Sequence, residues 1–240
     1  MIKRLQRRWL LFFLGFLLVF ATWAYGPSFI HPDEHLTFKL EGLLEDKLNF
    51  RDAGMSINEC LGEQRLRVGR LMRSSGFFSG WSCNRVGNPE VIYSLNYTAA
   101  EGRQYYCRGP DSAVIGRHFQ SEEISDIELS ENWDQKPDQT HHVCEIMNHI
   151  RQDFETGKRV LVHCEAGRDR TGAVIALLAA MDFEATSPLT EQEITAIECD
   201  YRKSQSLKAY KYGRVAAMLH YMKARGGVTN FLRAKCQWGG

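Results

Sequence analysis

The 240-residue sequence has no internal repeat and no low-complexity tract, which excludes solenoid, propeller and fibrous architectures. It has almost no net charge, with 30 basic residues against 29 acidic ones. Four of the basic residues and none of the acidic ones fall in residues 1–25, so the body carries 26 against 29, a balance of −3. A body of that sign lacks the positive field that nucleic-acid backbones require, and a nucleic-acid binder is excluded on charge. A convincing set of metal ligands is missing too. His31-Pro32-Asp33-Glu34-His35 has ligand-like spacing, but it contains a proline and has no third convergent group, so it reads as a solvated turn. The length suffices for one core-forming domain and a short extension.

Charge is absent from one continuous run. Lys3, Arg4, Arg7 and Arg8 precede 17 uncharged residues, Trp9 to Tyr25. Residues 1–25 therefore read as a signal anchor or a signal peptide. The run is at the short end for a membrane span, with Trp9, Trp23 and Tyr25 where interface aromatics belong. Thr22-Trp23-Ala24 would pass as a cleavage site, but the bulky residues around it favour an uncleaved anchor. Either way the basic flank stays in the cytoplasm and the body is exported, to the periplasm in a cell with two membranes. Residues 26–48 read as a tether, and 49–240 as the body.

The body is organised around His163-Cys164-Glu165-Ala166-Gly167-Arg168-Asp169-Arg170-Thr171-Gly172. Val160-Leu161-Val162 before it has the length and branching of a buried strand, and the apolar run Ala173–Ala180 after it reads as a buried helix. A cysteine thus ends a strand, and five residues lead to an arginine where a helix begins. Backbone N–H groups of such a loop and the helix N-terminus converge on one point and favour an anion there. Gly167 allows the tight curvature, and Arg170 can hold two phosphate oxygens through its planar fork. The same field favours a thiolate, which makes Cys164 a candidate nucleophile, with the Thr171 hydroxyl placed to hydrogen-bond the sulfur.

Cys-x5-Arg followed by Thr-Gly, with His before the Cys, resembles the signature of the cysteine-dependent protein tyrosine and dual-specificity phosphatases. The Asp-Arg-Thr-Gly ending with Arg168 before it is closer to bacterial tyrosine phosphatases and phosphoinositide phosphatases than to receptor-type enzymes. The resemblance implies a phosphocysteine on Cys164, phosphate held by Arg170 and the backbone of Glu165, Ala166, Gly167, Arg168 and Asp169, and an aspartic general acid elsewhere. It implies no metal or other cofactor, since Arg170 and backbone dipoles supply the positive charge. Rhodanese-like sulfurtransferases also use a cysteine loop, but their arginine falls earlier in it.

Asn49-Phe50-Arg51-Asp52-Ala53-Gly54 and Gly69-Arg70-Leu71-Met72-Arg73-Ser74 resemble the amino-terminal pattern of bacterial tyrosine phosphatases and extend the likeness to about residues 49–225. Physically, Arg51 and Asp52 read as partners within a β-hairpin. Pro89–Leu95 is the next strand, and Asn96-Tyr97-Thr98 is a glycosylation sequon. Ile124–Leu129 is a further strand, leading into Ser130–Asp138. In the family the general acid sits on a loop here, one helix before the cysteine strand. Asp134, 30 residues before Cys164, is the first candidate, with Glu131 and Asp138 as alternatives. Trp133 is followed directly by Asp134, a departure from the familiar Trp-Pro-Asp.

Thr140–Gly157 reads as an amphipathic helix with Val143, Met147, Ile150 and Phe154 on one face. Thr190-Glu191-Gln192-Glu193 fits a capping box, and a last helix is expected over about Leu207–Ala224, ended by Gly226-Gly227. Arg202, Lys208 and Lys211 read as a solvated face. With Cys164 set aside, Cys60, Cys83, Cys107, Cys144, Cys199 and Cys236 are an even number, which suits an oxidising compartment. Cys144 and Cys199 lie in expected helices and serve equally well as buried thiols.

The expected fold is α/β, a central and mostly parallel sheet flanked by helices, with the loop at the carboxyl end of a central strand. The expected reaction is phosphomonoester hydrolysis on a phosphorylated protein. A membrane lipid or glycolipid phosphate is the alternative substrate, suggested by Arg168 and the anchor. An inactive phosphate-binding module is the reading from another class.

Overall fold

In the computed structural model, residues 48–95, 104–118, 133–135 and 137–238 are described. They fall in one unit, Leu43–Gly240. The described strands are β1 (Arg51–Asp52), β2 (Leu71–Ser75), β3 (Val91–Ser94), β4 (Tyr106–Arg108), β5 (Ala113–His118) and β6 (Val160–Cys164). The described α-helices are α1 (Ala53–Leu61), α2 (Pro137–Glu155), α3 (Asp169–Glu184), α4 (Glu191–Arg202), α5 (Arg214–Lys223) and α6 (Val228–Lys235).

The run before Cys164 is the spine of the sheet. Every residue of β6 is buried, and it pairs in parallel with β2 on one side and β3 on the other. The order is β1-β2-β6-β3-β5-β4, with β5 parallel to β3 and the two edge strands antiparallel. The parallel α/β sheet expected from the sequence is therefore present.

Strand alternation sorts β6 between two cores. Val160, Val162 and Cys164 join the larger cluster, to which all six α-helices contribute. Leu161 joins a smaller one with Met72, Ile92 and Phe78, closed by 3-10 turns at Gly76–Phe78 and Cys83–Val86. His163 lies on that side, its ring 5.0 Å from Phe78 and 4.4 Å from Tyr105. Helix α3 runs beneath the spine, its residues from Thr171 to Met181 all buried, as its continuous apolar sequence requires.

The apolar face read for α2 is present: Val143, Met147, Ile150 and Phe154 are buried. The capping box opens α4, with Glu193 N–H on the Thr190 hydroxyl and Thr190 N–H on the Glu193 carboxylate. The expected Leu207–Ala224 helix is shorter. Gly213, at φ 82°, breaks it, and α5 begins at Arg214 after a 3-10 turn at Ala209–Lys211. Helix α6 was not expected from the sequence. Its first N–H groups, on Val228 and Thr229, donate to the Glu184 carboxylate at the end of α3.

Six cysteines form three disulfides, Cys60–Cys199, Cys83–Cys107 and Cys144–Cys236, and Cys164 is the free one. Cys144 and Cys199 are thus bonded rather than buried thiols; their partners lie 92 and 139 residues away, beyond the reach of a local pattern. Among the described residues no helix is long and apolar enough to cross a membrane. Residues 1–25, the His31–His35 turn, the Asn96 sequon and the expected strand Ile124–Leu129 lie outside the described residues.

The chain unfolded without reductant should expose one titratable thiol, against seven after reduction. Replacing Cys60 and Cys199 by serine should lower stability by about 2–5 kcal/mol, read as a lower urea midpoint. Three or more thiols before reduction would contradict the pairing.

Candidate active site

Cys164 closes β6, and α3 starts five residues later at Asp169. Between them the chain turns through Gly167, at φ 64°. A Cβ there would lie 2.6 Å from the backbone of Ser74 and Ser75, so glycine is required both by conformation and by the close approach of β2.

The loop's carbonyls are tied to the scaffold behind it. Gly76 N–H donates to the Glu165 carbonyl at 3.1 Å, Asn49 Nδ2 to the Ala166 carbonyl at 2.7 Å and Arg73 Nη2 to the Gly167 carbonyl at 3.0 Å. In a planar trans peptide the N–H points opposite to the C=O. With three successive carbonyls drawn outward, the N–H groups of Ala166, Gly167 and Arg168 face the concave side. None of the three has an acceptor among the described residues. The N-terminus of α3 adds its dipole at the same place. Such a nest holds an anion with several oxygens.

Cys164 sits at its base, 3 % exposed. Arg170 donates from Nη1 to the Leu95 carbonyl at 2.6 Å, which fixes one branch of its fork. Leu95 is itself held by its N–H on the His163 carbonyl at 2.8 Å. The expected hydrogen bond from Thr171 to the sulfur is not made. Thr171 is fully buried in the first turn of α3, and its hydroxyl has no partner among the described residues. Arg168 pairs with neither Asp169 nor Glu165, but donates to the Ser206 carbonyl at 2.9 Å. The Asp169 carboxylate takes the Tyr201 hydroxyl at 3.1 Å and Lys211 Nζ at 2.7 Å, which removes Lys211 from a purely solvated face. Glu165 is exposed.

The amino-terminal stretches turn out to be the loop's backing. Arg51 and Asp52 do not pair with each other, because α1 intervenes between β1 and β2 and no hairpin forms. Arg51 Nε reaches Asp200 of α4 at 2.6 Å. Asp52 caps α1 through Met55 N–H and also accepts from Gly69 N–H. Arg73, fully buried, meets the other oxygen of Asp200 and donates to the Ser204 hydroxyl at 2.9 Å. Burial pushes the Asp200 carboxyl up, but Arg73 and Arg51 outweigh it and hold it below the usual carboxylate range. Sequence reading missed Asn49, Arg73 and Asp200 as site residues. The only signal was the paired stretches around 49–54 and 69–74, and nothing local announces Asp200.

Asp134 lies in a 3-10 turn, Trp133–Gln135, ahead of α2. Residues 156–159 connect α2 to β6. One Asp134 oxygen pairs with Lys235 Nζ of α6 at 2.9 Å; the other is buried without a partner among the described residues. Asp138 lies in the first turn of α2, and Glu131 is outside the described residues.

A strand, a cysteine, a loop with three tied-back carbonyls and an arginine at the following helix stand together at the end of β6. The tyrosine phosphatase family model matches residues 113–239, just over half of the chain, and the chain belongs to that family. Membership in that family makes it a phosphatase. The matched region contains the cradle and ends beyond α6, while the stretches at 49–54 and 69–74 precede it. No curated protein matches the chain.

Gly167→Ala should cost about 2 kcal/mol or more, because it adds a strained φ to a backbone clash. Thermal melting should show a lower Tm, and inorganic phosphate or tungstate should no longer raise it. A variant that inorganic phosphate still protects as well as wild type would show that the loop is not the anion site.

Proposed function

We propose that this chain hydrolyses phosphomonoesters on a protein substrate, as a tyrosine or dual-specificity phosphatase with Cys164 as nucleophile. The carrying observation is the row of three carbonyls, Glu165 to Gly167, each tied back to the scaffold, which leaves the loop's N–H groups to the opposite side.

The Cys164 sulfur attacks phosphorus in line as the ester P–O bond breaks. The loop N–H groups and Arg170 hold the equatorial oxygens and neutralise the charge that builds on them. Asp134 gives its proton to the leaving oxygen, through the oxygen that Lys235 leaves unpartnered. Water then attacks the phosphocysteine, Asp134 takes a proton from it, and phosphate leaves with the thiolate restored. Arg170 and backbone dipoles supply the charge that a metal supplies elsewhere. Thr171, in the first turn of α3, keeps a hydroxyl without a partner among the described residues to donate to the leaving thiolate.

The lipid or glycolipid alternative rests on Arg168, whose guanidinium is held beside the loop by the Ser206 carbonyl. Turnover of a phosphotyrosine peptide, a phosphoserine peptide and lipid phosphates, compared side by side, separates the two. No turnover of any of them would leave the inactive binding module.

Cys164→Ser should abolish turnover and keep phosphate binding, and Arg170→Lys should lose most of the activity because an ammonium cannot hold two oxygens. Asp134→Asn should lower kcat by about 10²–10⁴ on an alkyl phosphate and far less on an activated aryl phosphate. If Asp138→Asn or Glu131→Gln shows that pattern instead, the acid belongs there.

The catalytic body works outside the cytoplasm, held by residues 1–25 as a membrane anchor, or free if they are cleaved. Four basic residues before the apolar run and three disulfides support this placement. An alkaline phosphatase fused after Gly240 should be active and a cytoplasm-restricted fluorescent protein dark. The reverse result would overturn the topology.

A further inference from the structure

The largest fully buried side chain of the described residues is not an apolar one but Arg73. Burying a guanidinium is expensive unless its charge is answered. Here it is answered only in part. Arg73 shares Asp200 with Arg51, so two positive charges meet one negative, and the group keeps a net charge of about +1. Its Nη2 donates to the Ser204 hydroxyl and the Gly167 carbonyl, while its Nε is buried without a partner among the described residues.

We propose that Arg73 is a positioning residue for the chemistry at Cys164: it ties back the Gly167 peptide and keeps an uncompensated positive charge beneath the loop. This rests on the reading of Cys164 as nucleophile. The register fixes the arrangement. β2 and β6 run in parallel with Ser75 beside Cys164, so Arg73 enters the core two residues before the level of the sulfur. From there it reaches forward to the peptide whose N–H, on Arg168, faces the cradle. Loss of that bond frees the Gly167 carbonyl to rotate, and the Arg168 N–H turns away with it.

The charge lies beside the loop that follows the sulfur. Burial, and Arg51 beside it, draw the Arg73 guanidinium down to about 10, while Asp200 and the Cys164 sulfur pull it back up. It remains protonated at neutral pH, and its attraction to the sulfur is mutual. The other charged or titratable groups around Cys164 are differently engaged. His163 packs against Phe78 and Tyr105, and His142 is buried in α2. Asp169 is paired with Lys211, and Glu165 is exposed. Arg168 and Arg170 are held by the Ser206 and Leu95 carbonyls. Of the cations among the described residues, Arg73 alone is both fully buried and bonded to the loop's backbone.

The test uses the full chain and two readouts, the pH dependence of Cys164 alkylation by iodoacetamide and steady-state kinetics on an aryl phosphate. Arg73→Met should move the alkylation midpoint up by about one pH unit, since it leaves Arg51 and Asp200 to cancel. It should lower kcat more than it raises KM. Arg73→Lys keeps the charge but cannot bridge Asp200 and Gly167, so the midpoint should stay while kcat falls about ten- to a hundredfold. A folded Arg73→Met with an unshifted midpoint, or an Arg73→Lys with wild-type kcat, would overturn the proposal. If Arg73→Met gives no cooperative melt, the kcat of Arg73→Lys decides alone. Failure of the underlying reading is a separate result: wild-type enzyme that turns over no phosphate, or keeps its turnover as Cys164→Ser.

Discussion

The site depends on the parallel pairing of two neighbouring strands. β2 and β6 end side by side, with Ser75 opposite Cys164, and the loop that leaves β6 folds back against the end of β2. That contact leaves no room for a side chain at Gly167. It also brings Gly76 N–H and Arg73 within reach of the loop's carbonyls. A peptide has two polar ends, and whichever scaffold claims the carbonyl decides where the N–H must go. The concave face of the loop is thus built from behind, by groups that need not touch anything bound on it.

The backing is electrostatic as much as steric. Asp200 sits on α4, yet it serves β1 and β2 by holding Arg51 and Arg73 together. Asn49 makes a second bridge, with its amide on Ala166 of the loop and its side-chain oxygen on Gln205 N–H beyond α4. The Cys60–Cys199 disulfide joins α1 to the same helix. Three kinds of bond therefore converge on α4 and its end, and the loop inherits their rigidity. A cradle fixed in advance spends little reorganisation when charge develops on the transferring group.

The central strand, the cradle helix and the capping box were legible in the sequence because each is a local pattern. A run of β-branched residues, a continuous apolar stretch and a Thr-x-x-Glu spacing all report on their own neighbourhood. The capping helix α6 and the early break at Gly213 were not, because both depend on distant or single residues: Glu184 in one case, one left-handed glycine in the other. The strand–loop–helix setting of the cysteine and arginine could be read from local residues. Its backing could not, since Arg73 meets Asp200 across 127 residues and an isolated Arg-Ser pair carries no sign of burial. The Arg51–Asp52 pairing failed for the same reason: adjacency suggested a partner, while the fold offered a better-placed carboxylate.

The disulfide pattern has a consequence for how such a chain matures. Cys83–Cys107 joins neighbours in the order of cysteines, but Cys60–Cys199 and Cys144–Cys236 interlace, each closing only after the other has begun. A body exported in chain order behind residues 1–25 presents Cys60 and Cys83 to an oxidant long before Cys199 exists outside. Pairing in order of arrival would join the wrong sulfurs, and Cys164 would pass through the same oxidant before Cys199 arrives. Maturation in an oxidising space therefore calls for a disulfide isomerase, or for folding of the sheet around Cys164 that outruns oxidation.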